Sequence, residues 1–196
     1  MNSVTHFTKA LSRSVADKAF ADVWPDFTHT VRVPPSRYLK LIAPDPFEAG
    51  KSLHDRLPLL GNNDSLSDSD RAYFPFLGSL RDYLRSVGVR SMTPEQPLAS
   101  VASIGFSKCD LKVYGGLAPK GVIEVKVGRD CPQPSRGAHL AQLGLYARMI
   151  AGWGEYDQVW AALAYVDLHR QTIDVRCFSS TRKLIFRALE LWEEAA

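Results

Sequence analysis

Cysteine is scarce in this sequence. The three in 196 residues, Cys109, Cys131 and Cys177, are odd in number and widely spaced, so no disulfide framework and no CxxC metal pair is expected. Long hydrophobic runs are missing as well. No stretch reaches the roughly 18 apolar residues that a membrane helix needs, and MNSVTHFTKALSRSVADKAF at the start holds no apolar region with a cleavage motif. The expectation is a cytoplasmic protein with free thiols and no membrane contact. Nor does one sign of charge dominate. Lys and Arg number 24 against 21 Asp and Glu, a net charge of +3, which permits nucleic-acid binding without demanding it. Internal repeats, low-complexity tracts and a GxxxxGK[ST] phosphate loop are also absent, so no helicase motor is expected.

What is present suits one domain. Hydrophobic residues make up 45% and charged residues 23%, enough for a real core at this length. Val4, Phe7, Leu11, Val15 and Phe20 predict a helix over residues 5 to 23. Residues 24 to 46 carry five prolines and read as irregular. A short helix starts near Asp45 or Pro46 and contains AGKSLHDRL, and GNNDSLSDSD (61 to 70) reads as a mobile loop. A helix over 69 to 87 shows Tyr73, Leu77, Leu80 and Leu84 on one stripe and stops at Gly88. SVASIGF, CDLKVYG and GVIEVKV then predict three strands of an antiparallel meander. A helix over 137 to 151 follows, then strands in QVWAALAYVDL and TIDVRCF, then a helix over 180 to 194. The fold class expected is α/β, a central mixed sheet of about five strands flanked by helices. Residues 1–45 form an N-terminal segment and residues 46–196 the core.

GVIEVKV holds a chemical oddity. Glu124 and Lys126 are two apart, so in a strand they leave the same face. One strand earlier lies Asp110. If the two strands pair as a hairpin, Asp110 and Glu124 stand side by side and repel unless something neutralises them. A divalent cation does this: Mg²⁺ takes one or two carboxylates plus waters and phosphate oxygens. Lys126 would then stand beside the attacking water and the scissile phosphate, able to orient the one and stabilise charge on the other. The same three residues would also serve as an exposed ion pair and a turn aspartate, so further residues have to decide.

Two helices supply them. In HLAQLGLYARMI, His139, Gln142 and Tyr146 fall on one face, with Leu140, Leu143, Ala147 and Ile150 as the buried side. In AGKSLHDRL, Gly50 precedes His54 by four; the glycine would admit a close neighbour, and the imidazole suits a metal or a phosphate.

In this order, Gly50-x3-His54, Asp110, Glu124-Val125-Lys126 and Gln142-x3-Tyr146 resemble the PD-(D/E)XK nuclease superfamily, and within it the RecB-like exonuclease branch. The similarity spans about residues 50 to 190, and the segment from Glu95 through Val113 resembles the strand that enters the acidic motif. The resemblance implies a restriction-endonuclease-like core. It implies Asp110, Glu124, His54 and the Val125 carbonyl as ligands of Mg²⁺ or Mn²⁺, with Lys126 acting on the water. Gln142 and Tyr146 would hold the site or the strand. Two departures are visible. Cys109 stands where proline is frequent, and Gly105-x4-Asp110 is longer than the usual GxxD spacing, which puts local geometry in question. Some relatives carry a four-cysteine iron–sulfur cluster; with no cysteine before Cys109, none is expected here.

Lys108, Lys112, Lys120, Arg129, Arg136 and Arg148 surround the expected site and suit a phosphate backbone. His139 joins them on its helix, and Tyr114, Trp153 and Tyr156 would stack on bases of a single strand. The functional expectation is a metal-dependent DNA exonuclease of phage or bacterial replication, recombination or repair, with DNA ends as substrate. A recombinase or single-strand-binding protein is the partner class considered for residues 1–45. The alternatives are an endonuclease of restriction or mobile-element type, and a module on the same fold that binds nucleic acid or protein without cutting.

Overall fold

The computed structural model describes residues 3–60, 67–101, 104–128, 132, 135–152 and 154–195. The polar loop expected at 61 to 70 falls largely outside them, as do Arg129, Cys131 and Trp153. The described residues form one mixed six-stranded sheet between two layers of helices. The strands are β1 (Phe27–Arg32), β2 (Val89–Leu98), β3 (Ser107–Gly115), β4 (Lys120–Gly128), β5 (Val159–Asp167) and β6 (Thr172–Phe178). The helices are α1 (Val4–Ala10), α2 (Arg13–Ala19), α3 (Pro46–His54), α4 (Asp68–Ser86), α5 (Gly137–Ala151) and α6 (Arg182–Glu194).

Strand order is β1-β6-β5-β4-β3-β2. Only β4 and β5 run parallel, because α5 carries the chain from the end of one to the start of the other. β5, VWAALAYVD, is buried at every position, as a central strand covered on both faces must be. On one face α1, α5 and α6 close a core around Leu143, Tyr146, Leu163 and Trp192. On the other, α3 and α4 close a second around Leu53, Leu80, Ile123 and Trp160.

The sheet has six strands rather than five because β1 lies inside the proline-rich segment. Pro25, Pro34 and Pro35 flank it rather than interrupt it, and its edge position leaves FTHTVR almost wholly exposed, so no apolar alternation marks it. The first meander strand is also displaced. It is VRSMTPEQPL, an edge strand that tolerates Pro94 and Pro97, whereas SVASIGF contributes only a bridge between Val101 and Ile104. The single N-terminal helix is two, divided at Leu11 because Ser12 caps α2 by accepting from Val15 N–H.

Close approach fixes α5. A methyl at Gly144 would stand 2.6 Å from the Leu184 carbonyl oxygen of α6, and one at Gly137 would stand 2.2 Å from the Ala16 carbonyl of α2. The Gly137 N–H, an orphan donor of the first turn, finds the Asp17 carboxylate at 2.7 Å, so α2 caps α5 from outside its own sequence.

Candidate functional site

Strands β3 and β4 part company where the chemistry sits. Their ladder runs from Tyr114↔Lys120 to Leu111↔Ile123 and stops. One step further Asp110 faces Glu124, and there the Val125 N–H donates to Asp110 Oδ2 at 2.7 Å instead of to a backbone carbonyl. Beyond this point β4 continues along β5 alone, to Gly128↔Asp167. A side chain thus replaces a rung of the sheet and opens a cleft along the rest of β4.

Into this cleft the residues expected from sequence converge. Lys126 Nζ donates to Glu124 Oε1 at 2.5 Å and to Gln142 Oε1 at 2.9 Å. Gln142 Nε2 donates to the Tyr146 hydroxyl at 3.1 Å, which lies 3.3 Å from Thr5 Oγ1 of α1. From the opposite helical layer His54, at the end of α3, brings Nδ1 to 3.3 Å from Asp110 Oδ1. The acidic pair is therefore flanked by a lysine on one side and an imidazole on the other.

Burial differs sharply within the set. The Glu124 side chain is 3% exposed and Lys126 22%, while Asp110 and His54 reach 18% and 32%. Burial first, and then the charge of Asp110, pushes the Glu124 carboxyl up to about 7. Burial works against the Lys126 ammonium, but the charges of Glu124 and Asp110 outweigh it and hold the proton more firmly than usual. Burial also opposes charging of His54, and there the hydrogen bond and charge of Asp110 prevail, so its pKa is raised. The Tyr146 hydroxyl is pushed up by burial and by Glu124, which keeps it neutral. Cys109, beside the acidic pair, is pushed up to about 12 by burial and stays a thiol.

The chemistry available is that of two neighbouring carboxylates and a fixed cation. Among the described residues no three His, Cys, Asp or Glu side chains stand together as a ready metal cage. Yet Glu124 Oε2 is buried without a hydrogen-bond donor among them. A buried acceptor left bare costs free energy, of order 1–3 kcal/mol or more when charged. An oxygen-seeking cation needing only one or two carboxylates would satisfy it, with Asp110, one rung beyond the β3–β4 ladder, as the second carboxylate and His54 bonded to Asp110 beside it. They fit Mg²⁺ or Mn²⁺ in donor type and charge.

Several expectations require correction. His139, Gln142 and Tyr146 do share a face of α5, but it is the face turned to the sheet: Gln142 is 8% and Tyr146 1% exposed, and the helix is buried on nearly every side. Arg148, expected among the nucleic-acid contacts, is not at the surface. It is buried, bonded to the Gly152 carbonyl and placed over the Tyr156 ring, about 13 Å along α5 from His139. Gly50 is not forced by crowding, since a methyl there would meet Val127 only at an ordinary 3.4 Å. Lys108 and Lys120 are tied to Glu95 and Glu155. Lys112, two residues from Asp110 on β3, lies 5.2 Å from the half-exposed Tyr114 ring. Tyr156 packs edge-on against Phe186. Arg136 and His139 do border the cleft, lining with Lys126 a cavity of ≈ 140 Å³.

Sequence reasoning passed over Thr5, Tyr165, Ser135 and Arg176. Tyr165 carries no local signal in its apolar strand. Arg176 does: a charged residue inside TIDVRCF is the same anomaly as Glu124 inside GVIEVKV, and it too is buried. Among the described residues no helix is long and apolar enough to cross a membrane. No protein-family model matches this chain, and no curated protein matches its sequence.

Proposed function

We propose that the protein is a metal-dependent nuclease that hydrolyses phosphodiester bonds of DNA, acting from strand ends. The observation that carries this reading is the cluster in which His54–Asp110 and Glu124–Lys126–Gln142–Tyr146 are joined through the Val125 N–H that Asp110 accepts. Four short motifs, scattered over nearly a hundred residues and together resembling the RecB-like branch of the PD-(D/E)XK nucleases, meet at one strand end. A solvated ion pair would not recruit a glutamine and a tyrosine from a helix core.

Asp110 and Glu124 would hold Mg²⁺ or Mn²⁺, with the imidazole of His54 and the Val125 carbonyl as further donors. When bound, the ion would supply charge neutralisation at the phosphate and acidify the water nearby. The protein's own groups do the rest. Lys126 holds its proton, so it serves as a fixed cation and donor. It orients the attacking water and meets the charge that grows on the non-bridging oxygens. Gln142 fixes the ammonium, and Tyr146 fixes Gln142. Water oxygen bonds to phosphorus as the P–O bond to the leaving strand breaks; one product carries a phosphate monoester and the other a hydroxyl.

The test is digestion of end-labelled linear DNA and closed circular DNA with Mg²⁺, with Mn²⁺ and with EDTA. Metal-dependent loss of linear DNA alone, absent in Asp110→Ala, Glu124→Ala and Lys126→Ala, is expected. Cutting of the circle would replace the exonuclease by an endonuclease. A fully active, folded Asp110→Ala protein would sink the metal-dependent reading altogether.

A further inference from the structure

Beside the acidic pair, the ≈ 140 Å³ cavity is lined by Lys126, Arg136, His139 and Tyr165 with Pro132, Val166 and the Val127–Gly128 stretch, and none of these described residues is acidic. Behind its wall lies Arg176, 2% exposed. Its guanidinium sits 4.5 Å from the centre of the Tyr165 ring, and Nη1 donates to Ser135 Oγ at 2.7 Å. Nη2 is buried with no acceptor among the described residues. Ser135 faces a neighbouring cavity of ≈ 260 Å³ that shares Pro132 and Arg136 with the first. Asp17, on that second cavity, already accepts from Gly137 N–H and Arg13.

A buried guanidinium with one amino group left without an acceptor among the described residues, near further cations, is unfavourable by itself. Burial above all, and then the charges of Lys126 and Arg136, push the His139 pKa down to about 3, so it stays neutral with Nδ1 3.0 Å from the Tyr165 hydroxyl. The missing component is an anion. Guanidinium forks and a small cavity suit a tetrahedral oxyanion, and the volume admits a phosphate group rather than a whole nucleotide.

We propose that this cavity is a second phosphate subsite, binding a phosphate of the nucleic-acid strand adjacent to the one that is cut, with Arg136 as its direct contact and Arg176 as the buried charge behind it. That the phosphate belongs to a strand rests on the nuclease reading. That the cavity takes a phosphate does not. Two sources share this chemistry: a phosphate at the strand's end, or the next phosphodiester within it.

The experiment measures binding in EDTA, by fluorescence anisotropy, of three oligonucleotides of one sequence: 5′-phosphorylated, 3′-phosphorylated and bearing hydroxyls at both ends. Wild type is set beside Arg136→Ala, Arg176→Lys and, as a control on the neighbouring cavity, Arg13→Ala. Arg136→Ala should weaken binding about tenfold or more, the scale of losing one charge-assisted contact. Arg176→Lys, which keeps the charge but loses the fork, should weaken it several-fold, and Arg13→Ala less than twofold. Loss confined to one phosphorylated oligonucleotide identifies a terminal phosphate; equal loss for all three identifies an internal one. Inorganic phosphate should shift the His139 ring nitrogen signals in wild type and not in Arg136→Ala, a readout that survives if Arg176→Lys does not fold. Unchanged binding in Arg136→Ala, with no shift of His139 by phosphate, overturns the proposal. Phosphate binding that depends on Arg136 in a protein that never cuts DNA would leave the subsite standing and remove the nuclease reading. Asp110-dependent cutting with binding indifferent to Arg136 would do the reverse.

Discussion

Replacing Asp110 by asparagine should make the metal-free protein more stable while removing its response to metal. At pH 8.5 the Glu124 carboxyl, raised to about 7, is ionised. Asp110 stands one rung beyond the Leu111↔Ile123 pair, opposite it. Facing side chains on antiparallel strands lie about 5 Å apart. At an effective dielectric of about 20, two like charges about 5.5 Å apart repel by roughly 3 kcal/mol, and partial exposure of Asp110 reduces that to about 1–2 kcal/mol. Asparagine keeps a carbonyl oxygen for the Val125 N–H, so the substituted rung of the sheet survives. What it gives up is the attraction to the Lys126 ammonium and to His54 while the imidazole is protonated, which offsets part of that gain. For a chain of this size about 1 kcal/mol moves the melting point by about 2–4 °C. Asp110→Asn should melt about 2–8 °C above wild type in EDTA. With Mn²⁺ at about a hundred times its dissociation constant, wild type should gain about 2.7 kcal/mol and overtake the variant, which gains little. Thermal melts followed by circular dichroism, with and without Mn²⁺, test both halves. A variant that melts below wild type in EDTA, or that gains as much from Mn²⁺, refutes the assignment of Asp110 and Glu124 as a repelling pair that shares a cation.

Metal affinity should climb with pH. Glu124 near 7 and His54 above its ordinary value both hold protons that a cation must displace, so the Mn²⁺ association constant, measured by titration calorimetry, should rise by one to two powers of ten from pH 6 to 7 and level off towards pH 8.5. A flat profile would show that neither group is a ligand. Gly137→Ala should lower stability by more than about 2 kcal/mol, because its methyl would overlap the Ala16 carbonyl, whereas Gly50→Ala in α3 should be neutral or stabilising by up to about 1 kcal/mol; chemical denaturation separates the two. Arg148→Met should leave DNA affinity within twofold of wild type while Arg136→Ala lowers it, and equal losses would mean that the far end of α5 also meets the strand.

The fold was legible wherever periodicity was strong. α4, α5, β4, β5 and β6 lie within a few residues of their sequence boundaries, because each buries a full stripe or a full run. It was illegible at the sheet's edges. β1 has nothing to bury and is bracketed by prolines, and β2 contains two, so neither alternation nor propensity distinguishes them from loop. The division of α1 from α2 turns on one serine whose hydroxyl competes for the backbone, a local choice that a hydrophobic stripe does not register.

The site divides along a different line. Glu124 and Lys126 were visible because each puts a charge inside an apolar run, whereas Asp110 and Gln142 stood out through strand pairing, shared helix face and the spacing of the resembled motifs. Sequences keep such local conflicts only where something offsets them. Thr5 and Tyr165 fit their elements well, so nothing in the sequence marks them, and only the fold brings them to the cluster. Arg176 violates its strand as plainly as Glu124 does. Among the described residues Glu124 leaves a buried oxygen without a donor and Arg176 a buried nitrogen without an acceptor, on the same side of one sheet. Packing alone offers no reason to keep either. A carboxylate awaiting a cation and a guanidinium awaiting an anion are what a site would hold if its ligand were a metal-bridged phosphate strand, and each is the complement of the other's missing partner.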